Sequence, residues 1–231
     1  MKLVKYCNSD HNPLDGCRTL QLGTAEFYRN MDASRPIADT QEGHITYLGT
    51  NYANGFGLGA VISGNIGENL YIFSMSTEDL PIEEAKLRFG EDKDSRYYIK
   101  DLSKFISMIF NQMGSQVTYQ DFTEGSQEFL NNLGRKPFFE TRPYFGLIKY
   151  QDAYLMDYSE EISLGSFSWF INSQFRKRES YKEDAEFRIV IVIIEKESGR
   201  IISIKEPPKI LTFPEDTNWD CLSNVPIDFE K

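Results

Sequence analysis

Histidine is nearly missing from this chain: His11 and His44 are the only two in 231 residues. That all but excludes a multi-histidine metal centre and leaves few ways to build a Ser-His-Asp triad. The three cysteines, Cys7, Cys17 and Cys221, are odd in number and lack metal-ligand spacing. Reduced structural thiols are the expected state, with no metal. No apolar run is long enough to span a bilayer, and the opening MKLVKYCNSDHN lacks the apolar segment of a secretory signal. A cytoplasmic protein with no membrane partner is therefore expected. Repeats, low-complexity tracts and linkers are absent too, so residues 1–231 are expected to form one domain, with two small ones as the alternative. Positive charge is in short supply: the formal net charge is −10. Such a balance argues against a sequence-independent grip on nucleic acid, though not against a local basic groove. The run G-F-G-L-G at residues 55–59 lacks the G-x-G-x-x-G spacing and a following helical pattern, so it reads as turn and strand.

What the chain does have is a generous supply of Tyr and Phe and one dominant apolar run, Phe187 to Ile194. Its Ile/Val content is that of a central strand buried on both faces. Alternation puts Ala185, Phe187, Ile189, Ile191 and Ile193 on one face. Glu186, Arg188, Val190, Val192 and Ile194 fall on the other. Glu186 and Arg188 thus project together where the strand enters the core. A buried carboxylate and guanidinium are costly unless they are paired or line a cleft. The sequence leaves open a structural ion pair and a functional one.

The other elements are shorter. Leu3–Cys7 reads as a first strand, and Arg18–Leu22 as a second, followed by a helical turn carrying Phe27, Tyr28 and Arg29. Residues 45–65, rich in Gly and Asn, suggest hairpins. Glu68–Ser76 is a strand ending in hydroxyls. Asp101–Gly114 is the clearest helix, with Asp101 as N-cap, Leu102, Phe105, Ile109 and Met113 on one stripe, and Gly114 as C-cap. A short helix is expected in GSQEFLNNLG, a strand over Tyr144–Tyr150, and a hairpin partner for the central strand at Arg200–Ile204 across Glu197-Ser198-Gly199. Ser163–Ser173 is aromatic and ambiguous. From Pro207 onward the chain is expected to pack as an edge or wrap. Strands outnumber helices without βαβ alternation, which predicts an α+β fold with mixed or antiparallel sheets and a few helices.

A fixed carboxylate near basic and aromatic residues suits cleavage of an N-glycosidic bond, whose transition state is oxocarbenium-like. Tyr6, Tyr28, Arg29, Ser74 and Ser76 are the residue types such a site uses. Rings stack on the leaving base, and arginine holds a diphosphate. Each also has a structural reading: Tyr28 as a core cap, Ser74 and Ser76 as a solvated strand end, Asp39 and Glu42 as turn formers.

Tyr181-x-x-Asp184-x-Glu186-Phe187-Arg188 resembles the Y-x-x-E-x-E-[W/F]-R signature of a widespread, largely uncharacterised bacterial domain family. Further landmarks appear in order: Lys5-Tyr6 for an opening K-Y, Ile37 to Glu42 for a loop F-N-D-P-F-E, Ile72-Phe73-Ser74 for a C-F-S strand, and Lys177 four residues before the tyrosine. Asp184 stands in place of Glu, and Ala38 and Thr40 in place of Asn and Pro. The layout is also similar to the ADP-ribosyltransferase toxins of the DarT type and their CmdT-like phage-defence relatives. There A-E-F/V-L carries the catalytic glutamate, and Ala185-Glu186-Phe187 matches it, with Arg188 in place of the aliphatic residue.

The resemblance implies an ADP-ribosyltransferase-like domain that uses NAD as donor of ADP-ribose. It implies Glu186 as the catalytic residue, Tyr28 stacking on nicotinamide, the backbone around Tyr6 holding the carboxamide, Arg29 on the diphosphate, and Ser74 nearby. Implied partners are an RNA or single-stranded DNA substrate and a cognate antitoxin or chaperone. Two basic, aromatic stretches suit single-stranded nucleic acid: Arg135 and Lys136 through Phe145, and Arg176-Lys177-Arg178 with Tyr181. Alternatively Phe138, Phe139 and Phe145 are core and the charges merely solvated. The rival reading is a non-enzymatic binding module of regulatory or defence type. A metal-dependent nuclease using Asp39, Glu42, Asp184 and Glu186 is a third option.

Overall fold

The computed structural model describes residues 1–31, 44–51, 58–65, 69–152, 154–157 and 167–228. The expected loop carrying Asp39 and Glu42 lies outside them. The fold is α+β. Among the described residues its main body is a nine-stranded antiparallel sheet containing β1 (Val4–Cys7), β2 (Thr19–Thr24), β5 (Tyr71–Ser76), β6 (Ser95–Ile99), β7 (Phe139–Leu147), β11 (Glu186–Glu195), β12 (Arg200–Ile201), β13 (Lys209–Thr212) and β14 (Leu222–Ser223). The hairpin of β3 (His44–Asn51) and β4 (Leu58–Asn65) pairs in parallel with β9 (Tyr154–Asp157), and β8 (Lys149–Tyr150) pairs in parallel with β10 (Arg176–Lys177).

β11 is central, as its composition predicts. It pairs with β5 from Glu186↔Ser76 to Ile191↔Tyr71 and with β7 from Phe187↔Leu147 to Glu195↔Phe139. All ten of its residues are buried. Phe187, Ile189, Ile191 and Ile193 join the large core under α3 (Leu102–Gln116) and α4 (Glu124–Asn131). Val190, Val192 and Ile194 meet Phe170 and Ile171 of α5 (Phe167–Ser173) on the other face. α3 buries Phe105, Ile106, Ile109 and Met113, each worth about 1.5–3 kcal/mol removed from water.

Several boundaries differ from expectation. Asp101 does cap α3, accepting from the Lys104 N–H at 2.9 Å, but the helix runs through Gly114 to Gln116. The Gln116 side chain holds this last turn by pairing with both main-chain groups of Thr212 on β13. The strand predicted from Tyr144 starts at Phe139, because the two strands pair along the whole length of β11. Neither α2 (Ile82–Phe89) nor β6 was anticipated. α2 buries only Ala85, so its apolar periodicity is faint. The C-terminal stretch supplies two edges, β13 on β2 and β14 on β6.

The outer edge of β5 positions the site. β1 pairs with it only at Val4↔Ser76, and β2 only at Gly23↔Ile72 and Thr24↔Tyr71. Between them the sheet forks. Among the described residues Phe73–Met75 have no strand on that side.

Candidate functional site

A cavity of about 490 Å³ opens at this fork, within the usual size range of small-molecule sites. β1 contributes Lys5, Tyr6 and Cys7; β2 contributes Thr19 to Gln21; β5 contributes Ser74 to Ser76. α1 (Ala25–Asn30) adds Phe27 and Tyr28, and the segment leading into β11 adds Lys177, Asp184, Glu186 and Arg188.

Glu186 is buried and held at both oxygens. Its Oε1 accepts from Ser74 Oγ at 2.5 Å and from Arg188 Nε at 2.8 Å. Its Oε2 pairs with Lys177 Nζ at 2.8 Å. Register explains the first contact: Ser74 faces Arg188 across the ladder, so its hydroxyl reaches Glu186 diagonally. Burial alone would raise the Glu186 pKa. The Arg188 guanidinium and the Lys177 ammonium overcome it and keep the carboxyl well below the usual range, hence ionised. Arg188, one per cent exposed, also donates from Nη1 to the Gln174 carbonyl at 2.8 Å. Lys177 reaches Asp184 as well, at 3.4 Å.

The backbone around Glu186 is fixed independently. Ala185 is left-handed at φ 44°, a strained position for a residue with a Cβ. Its carbonyl accepts from the Thr77 N–H and hydroxyl at 2.8 and 2.9 Å. The Glu186 N–H donates to the Tyr150 hydroxyl at 2.8 Å. Burial pushes that phenol up to about 12, so it stays protonated.

Tyr28 stands over β2. A Cβ built on Gly23 would lie 2.6–2.8 Å from its ring and hydroxyl, so glycine is what lets the ring settle there. Phe27 meets Tyr28 edge-on, with ring centroids 5.5 Å apart. Lys5 reaches across the fork and donates to the Ser74 carbonyl at 2.8 Å, the main-chain group that a neighbouring strand would otherwise satisfy. Burial, and then repulsion from Lys93, push its amine down to about 8.

The structure therefore brings together Glu186, Ser74, Lys177, Tyr28 and Tyr6 around one cavity. The Tyr6 ring stacks on Phe89, and its hydroxyl accepts from the Leu80 N–H at 2.6 Å, so its side chain braces the segment before α2. Arg29 does not line the cavity. Tyr181 sits beside it, its ring 5.3 Å from Lys177 Nζ.

Arg135 and Lys136 are elsewhere. Arg135 forms a bidentate pair with Glu195, both contacts 2.9 Å. Glu195 closes the ten-residue β11, about 30 Å of strand from Glu186. Phe138, Phe139 and Phe145 are not core; they are exposed.

Sequence reasoning missed the roles of Lys5, Gly23, Tyr150 and Gln174. Only Gly23 carries a local sign, an isolated glycine inside a strand, where close approach of another group is the usual cause. Among the described residues no three His, Cys, Asp or Glu side chains cluster as metal ligands, and no helix is long and apolar enough to cross a membrane. No family model, curated protein or solved structure is similar enough to this chain to count as a match.

Proposed function

We propose that the cavity at the fork binds NAD and that the protein is a mono-ADP-ribosyltransferase. The observation that carries this reading is Glu186: a buried, ionised carboxylate at the wall of a cavity that also presents an aromatic ring and several cations. Charge held ready in a desolvated site stabilises an oxocarbenium-like ribose without reorganisation. Glu186 takes that role and holds a ribose hydroxyl, with Ser74 and Arg188 fixing its direction. Tyr28 stacks on nicotinamide, and the β1 backbone near Tyr6 holds the carboxamide. The resemblance gave the diphosphate to Arg29. Lys93, which lines the cavity, is better placed for it.

The acceptor in this reading is RNA or single-stranded DNA. Arg176, Lys177, Arg178 and Tyr181 gather basic and aromatic character beside the cavity, whereas Arg135 and Lys136 stand at the far end of β11. An effector of toxin or phage-defence type, restrained by an antitoxin or chaperone, fits such an activity. The residues present do not favour a metal-dependent nuclease, because the Glu186 carboxylate is already paired to Lys177 and Arg188.

One observation favours the non-enzymatic alternative. Both Glu186 oxygens are engaged, so the pair serves equally well as a structural clamp in a binding module. Labelled NAD incubated with separate pools of RNA, DNA and cell protein decides between the two. Label on nucleic acid supports the reading, and label on protein replaces its acceptor. If millimolar NAD leaves the melting temperature unchanged and no label is transferred, the cavity does not take this donor.

A further inference from the structure

Lys5 is the cavity cation that the scheme above leaves without a task. Among the described residues it makes no ion pair. Its contacts are the Ser74 carbonyl and the face of Phe73, whose centroid lies 4.6 Å from Nζ. The charged and titratable groups that act on it are Lys93 from the loop after α2, Cys7 two residues along β1, and Glu186 from β11. Lys93 is occupied with Asp92 at 2.8 Å, and Glu186 with Arg188 and Lys177. A lysine that is partly desolvated, close to a second ammonium and open to a cavity is the arrangement that makes an amine nucleophilic at neutral pH.

We propose that Lys5 is an imine-forming site for small anionic carbonyl compounds, such as a phosphorylated aldehyde, that enter the fork. The neutral amine lone pair attacks the carbonyl carbon to give a carbinolamine. The hydroxyl then leaves as water with a proton taken from solvent, and the C=N bond forms without any oxidant or reductant. The protonated imine keeps one N–H, so the Ser74 carbonyl retains its donor. Lys93 lines the same cavity and selects an anion by exchanging its exposed Asp92 partner for the entering group. This inference does not depend on NAD being the donor substrate.

The proton balance sets the size of the effect. With its amine at about 8, roughly one Lys5 in ten is neutral at pH 7, against about one in two and a half thousand for an ordinary lysine near 10.4. The weaker base is also the weaker nucleophile, so at least about tenfold preferential labelling is expected rather than the full ratio.

The test treats the whole chain with pyridoxal 5′-phosphate, reduces with cyanoborohydride and measures label at each lysine by peptide mass spectrometry. Lys5 should be labelled at least about tenfold more than the exposed Lys136 and Lys182, with a pH midpoint near 8. Lys5→Arg, which keeps a donor for Ser74, should abolish that peptide's label and leave the melting temperature little changed. If Lys5 in the folded protein labels no faster than Lys136 and Lys182, or shares their pH dependence, the proposal is overturned. Equal labelling by pyridoxal without its phosphate would overturn the preference for an anion.

Discussion

Replacing Glu186 by glutamine keeps the shape of the side chain and removes its charge, so its consequences can be worked from the contacts. The amide oxygen can still accept from Ser74 Oγ and Arg188 Nε, now 2.5 and 2.8 Å from Oε1. The amide NH2 then meets Lys177, which can accept nothing from it. Lys177 keeps Asp184, 3.4 Å away, and Arg188 keeps the Gln174 carbonyl. Breaking a buried ion pair outright costs about 3–5 kcal/mol. With those partners retained, the cost here should fall below about 3 kcal/mol, which an ordinary domain of 5–15 kcal/mol survives. Loss of the electrostatic contact should slow NAD turnover by roughly two to three orders of magnitude, about 2.7–4 kcal/mol in the barrier. The assay pairs a denaturant melt with single-turnover release of nicotinamide at saturating NAD, so that binding and chemistry are read separately. A folded Glu186→Gln protein that turns NAD over at the wild-type rate would refute the role given to the carboxylate. A variant that unfolds, beside a wild type with no NAD chemistry, assigns Glu186 to a structural pair instead.

Gly23→Ala places a methyl inside the Tyr28 ring's space, at 2.6–2.8 Å; the ring must move, and NAD affinity should drop about tenfold, the value of an aromatic contact of about 1.5 kcal/mol, as read by calorimetry, while unchanged affinity removes Tyr28 from the site. Arg135→Ala leaves the buried Glu195 carboxylate with only N–H donors from Phe138 and Ser198; the melting temperature should fall while NAD turnover per folded molecule is unchanged, and a selective loss of nucleic-acid modification would show instead that Arg135 contacts substrate. Glu186 and Glu195 both have folded-state pKa values held below their ordinary 4.5, so their contribution is complete above that pH and lost as pH falls through the folded values. Melting temperature should therefore decline from about pH 4.5 downward, and the decline should be shallower in Glu195→Gln; parallel declines in the two proteins would contradict the assignment.

The parts of the fold legible in the sequence are those written in local pattern. The two faces of β11 follow from alternation, and α3 follows from its stripe and its aspartate cap. Expectation failed where a distant partner decides the outcome. Gln116 extends α3 because β13, almost a hundred residues later, offers it a main-chain pair. Phe138, Phe139 and Phe145 look like core by composition, but Phe139 and Phe145 lie along β7, whose only strand partner among the described residues is β11, and Phe138 stands just before it. Arg135 has the composition of a phosphate contact, yet the same charge serves Glu195, and nothing within a few residues of it distinguishes the two uses.

The site itself was half legible for the same reason. Glu186 and Arg188 announce themselves by carrying charge into a buried strand. Of the residues around them, Ser74 carries the hydroxyl that the chemistry asks for, but Tyr150, Gln174 and Lys5 arrive through pairings that the local sequence does not encode. The fork in the sheet ties them together. If β1 had paired along all of β5, the Ser74 carbonyl would bond to a strand and the cavity would be closed. Because β1 and β2 diverge, that carbonyl needs another donor, and Lys5 supplies one from the side that ligands enter. The device that satisfies the split sheet thus also places an amine in the cavity, and the strand that Ser74 belongs to places a hydroxyl on Glu186 from its other face. One topological feature, the division of β5's outer edge, therefore accounts for both the opening and the amine within it.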